Sequence, residues 1–303
     1  MNKKVIVLTG PTGVGKTEIS LKLAAKFDGE IINADASQVR KKLNIGTAKI
    51  DTSSTSIRHH LIDFLDPTEN FSIYDYQKLA RKKIDEILKK EKVPFLVGGS
   101  GLYLNAVLYD YDLSASSRSE EFIKQYNHMS DKELHQKLQE IDRAAADKIP
   151  YSNRRRVLRA LEVGLTGTKK ISENITKNIP IYDCLFICFN TNREELYERI
   201  NQRVEAMFTI GWIKECQDLL AEGIDITKIK DIGYREIGQY LQGLLSLKEI
   251  KEIIKQKTRN YAKRQLTWFR NKMKCQFINI DYNNQDDSLL EAIKMIQQFL
   301  EQR

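Results

Sequence analysis

Gly10-Pro-Thr-Gly-Val-Gly-Lys16-Thr17, set directly after the apolar run Val5-Ile-Val-Leu8 and ahead of the helical pattern from Glu18 to Phe27, decides how this chain is read. The octet satisfies G-x-x-x-x-G-K-[ST], and it does so between a strand and a helix, the context that gives the pattern predictive value. Its glycines let successive backbone N–H groups turn inward with no Cβ in the way. The helix start adds partial positive charge, and Lys16 adds a full one. A glycine-rich turn with no ligand would require both Lys16 and Thr17 to be accidental. Gly10, Pro11, Thr12, Gly13, Val14, Gly15, Lys16 and Thr17 are therefore read as a polyphosphate cradle, with the Thr17 hydroxyl able to ligate Mg²⁺. The loop does not specify what is attached to the polyphosphate.

Outward from the loop, short apolar runs alternate with helical patterns. Val5 to Leu8, Glu30 to Ala34 and Pro94 to Val97 read as strands; Glu18 to Phe27 and Tyr74 to Lys90 read as helices. That alternation implies parallel pairing with helices on both faces, and ligands held outside the carboxyl ends of the strands. The first strand ends in the cradle, the second at Asp35, the third in Gly98-Gly-Ser-Gly101. Between about Tyr111 and Asn178 the strand signal disappears. Ile181 to Phe189 then returns as a buried strand, helix follows, and a short strand is expected at Gln276 to Ile280. The expected fold is α/β: a P-loop NTPase-like parallel sheet core flanked by helices, with an inserted all-helical lobe. Residues 1–110 and 179–303 form the discontinuous core with its C-terminal helices, and 111–178 the insertion.

The net charge of +8 over 303 residues is concentrated. Arg154 to Lys170 carries six basic residues and one acid, and Lys257 to Lys274 seven and none, so the remaining chain sums to −4. Concentrated positive surface on a mildly acidic body points to a polyanionic partner. Lys251, Lys255, Arg259, Lys263 and Arg270 fall within a stripe of roughly 120° on one helix. Such a stripe is either a solvated outer face or a rail for phosphates, and the lack of any acid from Ile253 to Lys274 favours RNA. Cys184, Cys188, Cys216 and Cys275 show no C-x-x-C spacing, which fits a reducing cytoplasm. The N-terminal apolar run meets a turn before it could serve as a secretory core, and no 18-residue apolar stretch follows, so no membrane role is expected.

The loop alone leaves kinase, GTPase and transferase open. A GTPase needs an Asn-Lys-x-Asp guanine reader; Asn271-Lys272 is followed by Met273-Lys274, so that reading fails. A small-molecule kinase would use a helical insertion carrying arginines as its lid, and Arg154, Arg155, Arg156 and Arg159 suit that role. Against it stands the second basic window, larger than one triphosphate requires.

Eight segments now occur in an order that resembles the tRNA dimethylallyltransferases (tRNA isopentenyltransferases). Besides the cradle they are Ile45-Gly-Thr-Ala-Lys49, His59-His-Leu-Ile-Asp-Phe-Leu-Asp-Pro67, Val97-Gly-Gly-Ser-Gly-Leu-Tyr103, Arg159-Ala-Leu-Glu-Val163, Leu196-Tyr-Glu-Arg-Ile-Asn-Gln-Arg203, Gly233-Tyr-Arg-Glu236 and Lys263-Arg-Gln-Leu-Thr-Trp-Phe-Arg270. The resemblance runs from about Val5 to Asp281. It implies transfer of a dimethylallyl group from its diphosphate to N6 of the adenosine just 3′ of the anticodon, with Mg²⁺ as cofactor, dimethylallyl diphosphate as co-substrate, the tRNA anticodon stem-loop as partner, and a monomer.

The resemblance also assigns roles. Lys16 and Thr17 would hold the leaving diphosphate, and Arg235 of Gly233-Tyr-Arg-Glu236 would contact it with a guanidinium fork suited to two phosphate oxygens. From the residues alone, the default reading of Arg235 is a surface ion-pair partner of Glu236 or Asp231. Asp35 would take the proton of the target amine, although an Asp after a strand reads first as a helix N-cap. Ala36, Ser37, Gln38 and Ser100 would lie against the tRNA base, and Arg118, Asn153, Arg154, Arg156, Lys263, Arg264 and Arg270 would contact the tRNA. The chain departs from the pattern Asp-Ser-x-Gln-x-Tyr, reading Asp35-Ala-Ser-Gln-Val-Arg40, and has Ile149-Pro-Tyr-Ser-Asn153 where Ile-His-Pro-Asn-Asp is usual. His59 and His60 are read as structural or RNA-facing, not as metal ligands.

Overall fold

The computed structural model describes residues 3–110, 120–166, 172 and 179–302. In chain order it contains β1 (Lys4–Thr9), α1 (Lys16–Lys26), β2 (Gly29–Asn33), β3 (His59–His60), α2 (Ile73–Lys89), β4 (Val93–Val97), α3 (Gly101–Leu108), α4 (Glu120–Gln125), α5 (Asp131–Ile141), α6 (Arg143–Ala146) and α7 (Arg154–Thr166). There follow β5 (Asp183–Asn190), α8 (Arg193–Thr209), α9 (Trp212–Ala221), α10 (Tyr234–Leu241), α11 (Leu247–Lys272), β6 (Gln276–Asn279) and α12 (Gln285–Glu301).

The six strands form one sheet in the order β3-β2-β4-β1-β5-β6, and each pair is parallel. Val5, Ile6, Val7 and Leu8 of β1 are fully buried. That is why the strand reads as a continuous apolar run: helices cover both faces of a parallel sheet, so no position faces water. Ile6 and Leu8 share a core with Ile19 and Leu23 of α1, Phe189 of β5 and Ile296 of α12. The expected strands are all present, with β5 and β6 close to their predicted bounds. The two-residue β3 was not anticipated. It is too short to show a period, and it exists because Ile31 and Ile32 of β2 pair with His59 and His60.

Among the described residues the chain separates into two compact units. One runs to Phe71, covers Asp75–Leu108 and resumes at Tyr182; the other holds Ser72–Tyr74 and Tyr109–Ile181. The first contains the sheet and a second core around Trp212, Tyr234, Ile250 and Ile254. The second contains α4 to α7 packed around Leu134, Leu138, Val157 and Leu161. A capping box starts α5, with Ser130 and Glu133 exchanging hydrogen bonds. Among the described residues no helix is long and apolar enough to cross a membrane.

Candidate active site

A cavity of about 110 Å³ opens at the carboxyl ends of β1, β2 and β4. It is lined by Thr12, Gly13, Gly15, Lys16 and Thr17 on one side and by Asn33, Asp35 and Gln38 on another, with Gly98, Arg203 and Gln265 completing it. The first side is the cradle. Gly10 (φ 144°) takes a backbone conformation that side chains rarely adopt, and a Cβ there would stand 2.4 Å from the carbonyl oxygen of Phe189, so only glycine fits. Lys16 Nζ donates to the carbonyl oxygens of Gly10 (2.9 Å) and Pro11 (2.8 Å). Burial pushes its pKa down to about 8, with the nearby Asp35 charge acting in the opposite direction and Arg203 in the same one. An ammonium this close to losing its proton gains most from a neighbouring anion.

Asp35 is not a helix N-cap. The residues after it form turns, not a helix, and its Oδ1 accepts from the backbone N–H of Ser37 (3.0 Å), closing an Asx turn. Asn33 clips the turn from behind: its Oδ1 accepts from Asp35 N (3.1 Å), and its Nδ2 donates to the carbonyls of Asp35 (3.1 Å) and Leu61 (2.9 Å). Ser100 Oγ accepts from Ala36 N (3.0 Å), and the Ser100 side chain is also hydrogen-bonded to the Tyr261 phenol. The Ser37 hydroxyl donates to Asp231 Oδ1. Gln38 Nε2 donates to the carbonyls of Thr47 (3.2 Å) and Ala48 (3.3 Å). Asp35 Oδ2 has no hydrogen-bond partner among the described residues, and the residue lines the cavity.

Arg203 and Gln265 also line this cavity, and neither carried a role in the sequence reading. Arg203 closes the segment Leu196 to Arg203, and burial depresses its pKa while the Asp35 charge opposes that shift. Gln265 is buried on α11 and uses both ends of its amide: Oε1 accepts from Thr12 N (2.8 Å), and Nε2 donates to the carbonyl of Gly99 (2.9 Å). It thereby fastens the cradle to the loop after β4. Both residues lie inside quoted motifs, and that was their only signal. Arg199 braces the cradle as well. Its Nε donates to the carbonyl of Gly13 (3.1 Å), and its guanidinium lies 3.8 Å from the ring centroid of Tyr282.

Other expected residues lie elsewhere. Arg235 is exposed on α10, its Nε donating to the carbonyl of Thr227 (3.3 Å), and it is not among the cavity's lining residues. The first turn of α10 buries Tyr234 and Glu236 instead and turns the residue between them outward. The cationic stripe of α11 is also not a continuous rail. Lys251 and Lys255 both pair with Glu205 of α8 (2.7 and 2.8 Å), and Arg259 donates to Asn201 (2.6 Å). Two of its five members thus share a carboxylate on a helix more than forty residues away in sequence, and a third meets an amide there, while Lys263, Arg264 and Arg270 remain exposed. In the helical unit Arg154 is engaged with Asp131 (2.9 Å) and the carbonyls of Met129 (2.7 Å) and Tyr126 (3.1 Å). Asn153 Oδ1 accepts from Arg156 N (3.4 Å), and the Arg156 side chain is exposed. Arg118 lies outside the described residues. His60 pairs with Glu30 (2.6 Å) in the sheet.

The family model described as IPP transferase matches residues 38–272. The tRNA dimethylallyltransferase of Anoxybacillus flavithermus is 44% identical over 297 residues, covering 96% of this chain and 94% of that protein. The tRNA dimethylallyltransferase of Bacillus subtilis is 42% identical over 284 residues, covering 91% and 90%. Among solved structures, the tRNA delta(2)-isopentenylpyrophosphate transferase of Staphylococcus epidermidis superposes with a TM-score of 0.73 at 38% identity, over 97% of this chain and 99% of that one. A eukaryotic dimethylallyltransferase described as acting on tRNA gives a TM-score of 0.88 at 28% identity, over 99% of this chain and 80% of that one.

Proposed function

The chain belongs to the IPP transferase family, and on that premise we propose that it transfers a dimethylallyl group from dimethylallyl diphosphate to N6 of the adenosine 3′-adjacent to the anticodon of a tRNA, releasing diphosphate. The observation that carries the reading is that a single cavity holds the phosphate cradle, Arg203 and Asp35. A phosphate site alone would fit many chemistries. A carboxylate facing the same space supplies the second half of a transfer to an amine.

The reaction breaks the bond between the allylic carbon and the diphosphate oxygen and forms one between that carbon and N6. Negative charge accumulates on the departing diphosphate, and the cradle, the start of α1, Lys16 and Arg203, which share the cavity, are the groups that would stabilise it. Arg203 takes the anion-contacting role that the motif reading gave to Arg235. The N6 lone pair is delocalised into the purine, so the amine attacks well only as its proton leaves. Asp35 Oδ2 accepts that proton, while Asn33, Ser100 and Ser37 hold the turn that carries it. Gln38 and Ser100 are read as the residues that would meet the purine, since the base must leave its stack to reach the cavity.

The residues fit a magnesium ion bound mainly through substrate. Thr17 places a hydroxyl in the cavity, and Asp35 is the one carboxylate lining it among the described residues. That sparse oxygen set suits Mg²⁺, which keeps several ligands as water and phosphate oxygen. Thr17 would hold the ion, which supplies neutralisation of the diphosphate charge. The helical unit is read as the lobe that grips the anticodon stem-loop, with Asn153 and Arg156 as contacts. Lys263, Arg264 and Arg270 of α11 are read as contacts of the same kind.

Incubation of purified protein with labelled dimethylallyl diphosphate and unmodified tRNA tests the reading. The expected result is label in the tRNA at the adenosine next to the anticodon, with stoichiometric diphosphate release. Phosphate transfer from ATP to a small molecule, with no label in tRNA, would instead establish the kinase alternative.

A further inference from the structure

We propose that Asp231 is a positioning residue that holds the proton-accepting carboxylate of Asp35 in place through Ser37. The proposal rests on the reading of Asp35 as the base. Ser37 touches both acids: its backbone N–H donates to Asp35 Oδ1 (3.0 Å), and its hydroxyl donates to Asp231 Oδ1. A residue held at two points cannot rotate without losing one of them. The free oxygen of Asp35 therefore keeps its direction only while both bonds persist. Asn33 and Ser100 fix the backbone on either side of Asp35, Gln38 is tied to Thr47, Ala48 and Asp63 farther along the turn, and the Ser37 side chain is held by Asp231.

Asp231 is an unusual residue to place there for stability alone. It is half-buried, and burial together with the neighbouring Asp35 charge raises its pKa, against which the Ser37 hydrogen bond and Arg40 act. No lysine or arginine forms an ion pair with it among the described residues. A partly buried carboxylate lacking an ion pair and set beside a like charge is costly, and such arrangements gather at functional sites.

The segment Gly233-Tyr-Arg-Glu236 shows how the acid is delivered. Glu236 Oε2 accepts from Gly233 N (2.8 Å), and the Tyr234 hydroxyl donates to Glu215 Oε1 (2.8 Å). Gly233 has φ 105°, and a Cβ on it would lie 2.1 Å from the Trp212 ring. The motif whose arginine is exposed thus builds a rigid start to α10, two residues after Asp231. Its buried members set where that carboxylate stands.

The test is a set of substitutions measured in the prenyl-transfer assay with the full chain, with melting temperatures recorded for each. Ser37→Ala and Asp231→Ala should each lower kcat about tenfold with KM for both substrates within about twofold, and the double variant should fall no further than either single one. Ser37→Thr keeps the hydroxyl and Asp231→Asn keeps an acceptor, so both should stay within about threefold of wild-type kcat. If Asp231→Ala does not fold, the contrast between Ser37→Ala and Ser37→Thr decides alone. Full activity of Ser37→Ala beside an inactive Asp35→Ala overturns the positioning role while leaving the base intact, and so do losses that multiply in the double variant. An Asp35→Ala enzyme with wild-type kcat overturns the base reading and this proposal with it.

Discussion

At the level of single residues, the division of labour inside the cavity predicts separable defects. Asp35→Ala should lower kcat by about 100-fold or more, the range of a positioned general base, while the Kd for diphosphate measured by calorimetry changes little. Arg203→Ala should do the opposite, weakening diphosphate binding about 10- to 100-fold, as expected for a lost hydrogen bond to a charged group. Wild-type affinity in the Arg203 variant would return the anion to other hands. Lys16 adds a pH dependence. With its pKa lowered to about 8 in the free protein, the ammonium is intact below that pH and is lost as pH rises through it, so diphosphate affinity should fall from about pH 8 upward. A profile flat to pH 10 would remove Lys16 from the binding charge. Lys16 and Thr17 were legible because their chemistry is local: strand, glycines and helix adjoin in sequence. Asp35 was legible as a strand-end acid, but its Asx turn was not, since a helix N-cap needs the same residue in the same place.

Among elements, α11 shows where reading along the chain stops. The capping box of Ser246 and Glu249 that starts it is seen in the structure; its charges were visible in the sequence. What its faces touch was not. Glu205, on α8, neutralises Lys251 and Lys255, and nothing in the spacing of one helix reports on the charge of another. Gln265 is the sharper case: an uncharged residue amid cations whose two amide ends are matched to Thr12 and Gly99, contacts of sequence separation 253 and 166. Gln265→Leu leaves the buried Gly99 carbonyl unpaired, at about 1–3 kcal/mol, and frees the part-buried Thr12 N–H. It should lower the melting temperature and raise KM for the diphosphate by about tenfold. An unchanged KM would mean that the cradle holds its shape without the clamp. The alternating pattern that predicted the sheet succeeded for the opposite reason: a strand buried on both faces announces itself through its own residues.

For the whole molecule, charge sets the association with tRNA. Lys263, Arg264 and Arg270 are exposed cations of α11 beyond the Glu205 contact, and neutralising phosphates with them releases counterions in proportion to their number. Replacing all three with alanine should weaken tRNA binding and reduce the slope of log Kd against log salt by about 2–3, while leaving diphosphate affinity unchanged. Equal slopes for wild type and variant would place the RNA elsewhere.

The two tryptophans lend themselves to watching these events directly. The Trp268 indole lies against Gly101, where a Cβ would come within 2.2 Å of it, and Trp212 lies against Gly233. Each indole N–H is enclosed without a hydrogen-bond partner among the described residues. Their emission is therefore set by packing, and removing either one leaves a spectroscopic gauge. With Trp212→Phe, fluorescence follows α11 as it rides on the loop after β4; with Trp268→Phe, it follows the turn that carries the second acid. Stopped-flow traces of the two single-tryptophan proteins would then time the closing of the anion side and the base side separately, with no dye attached.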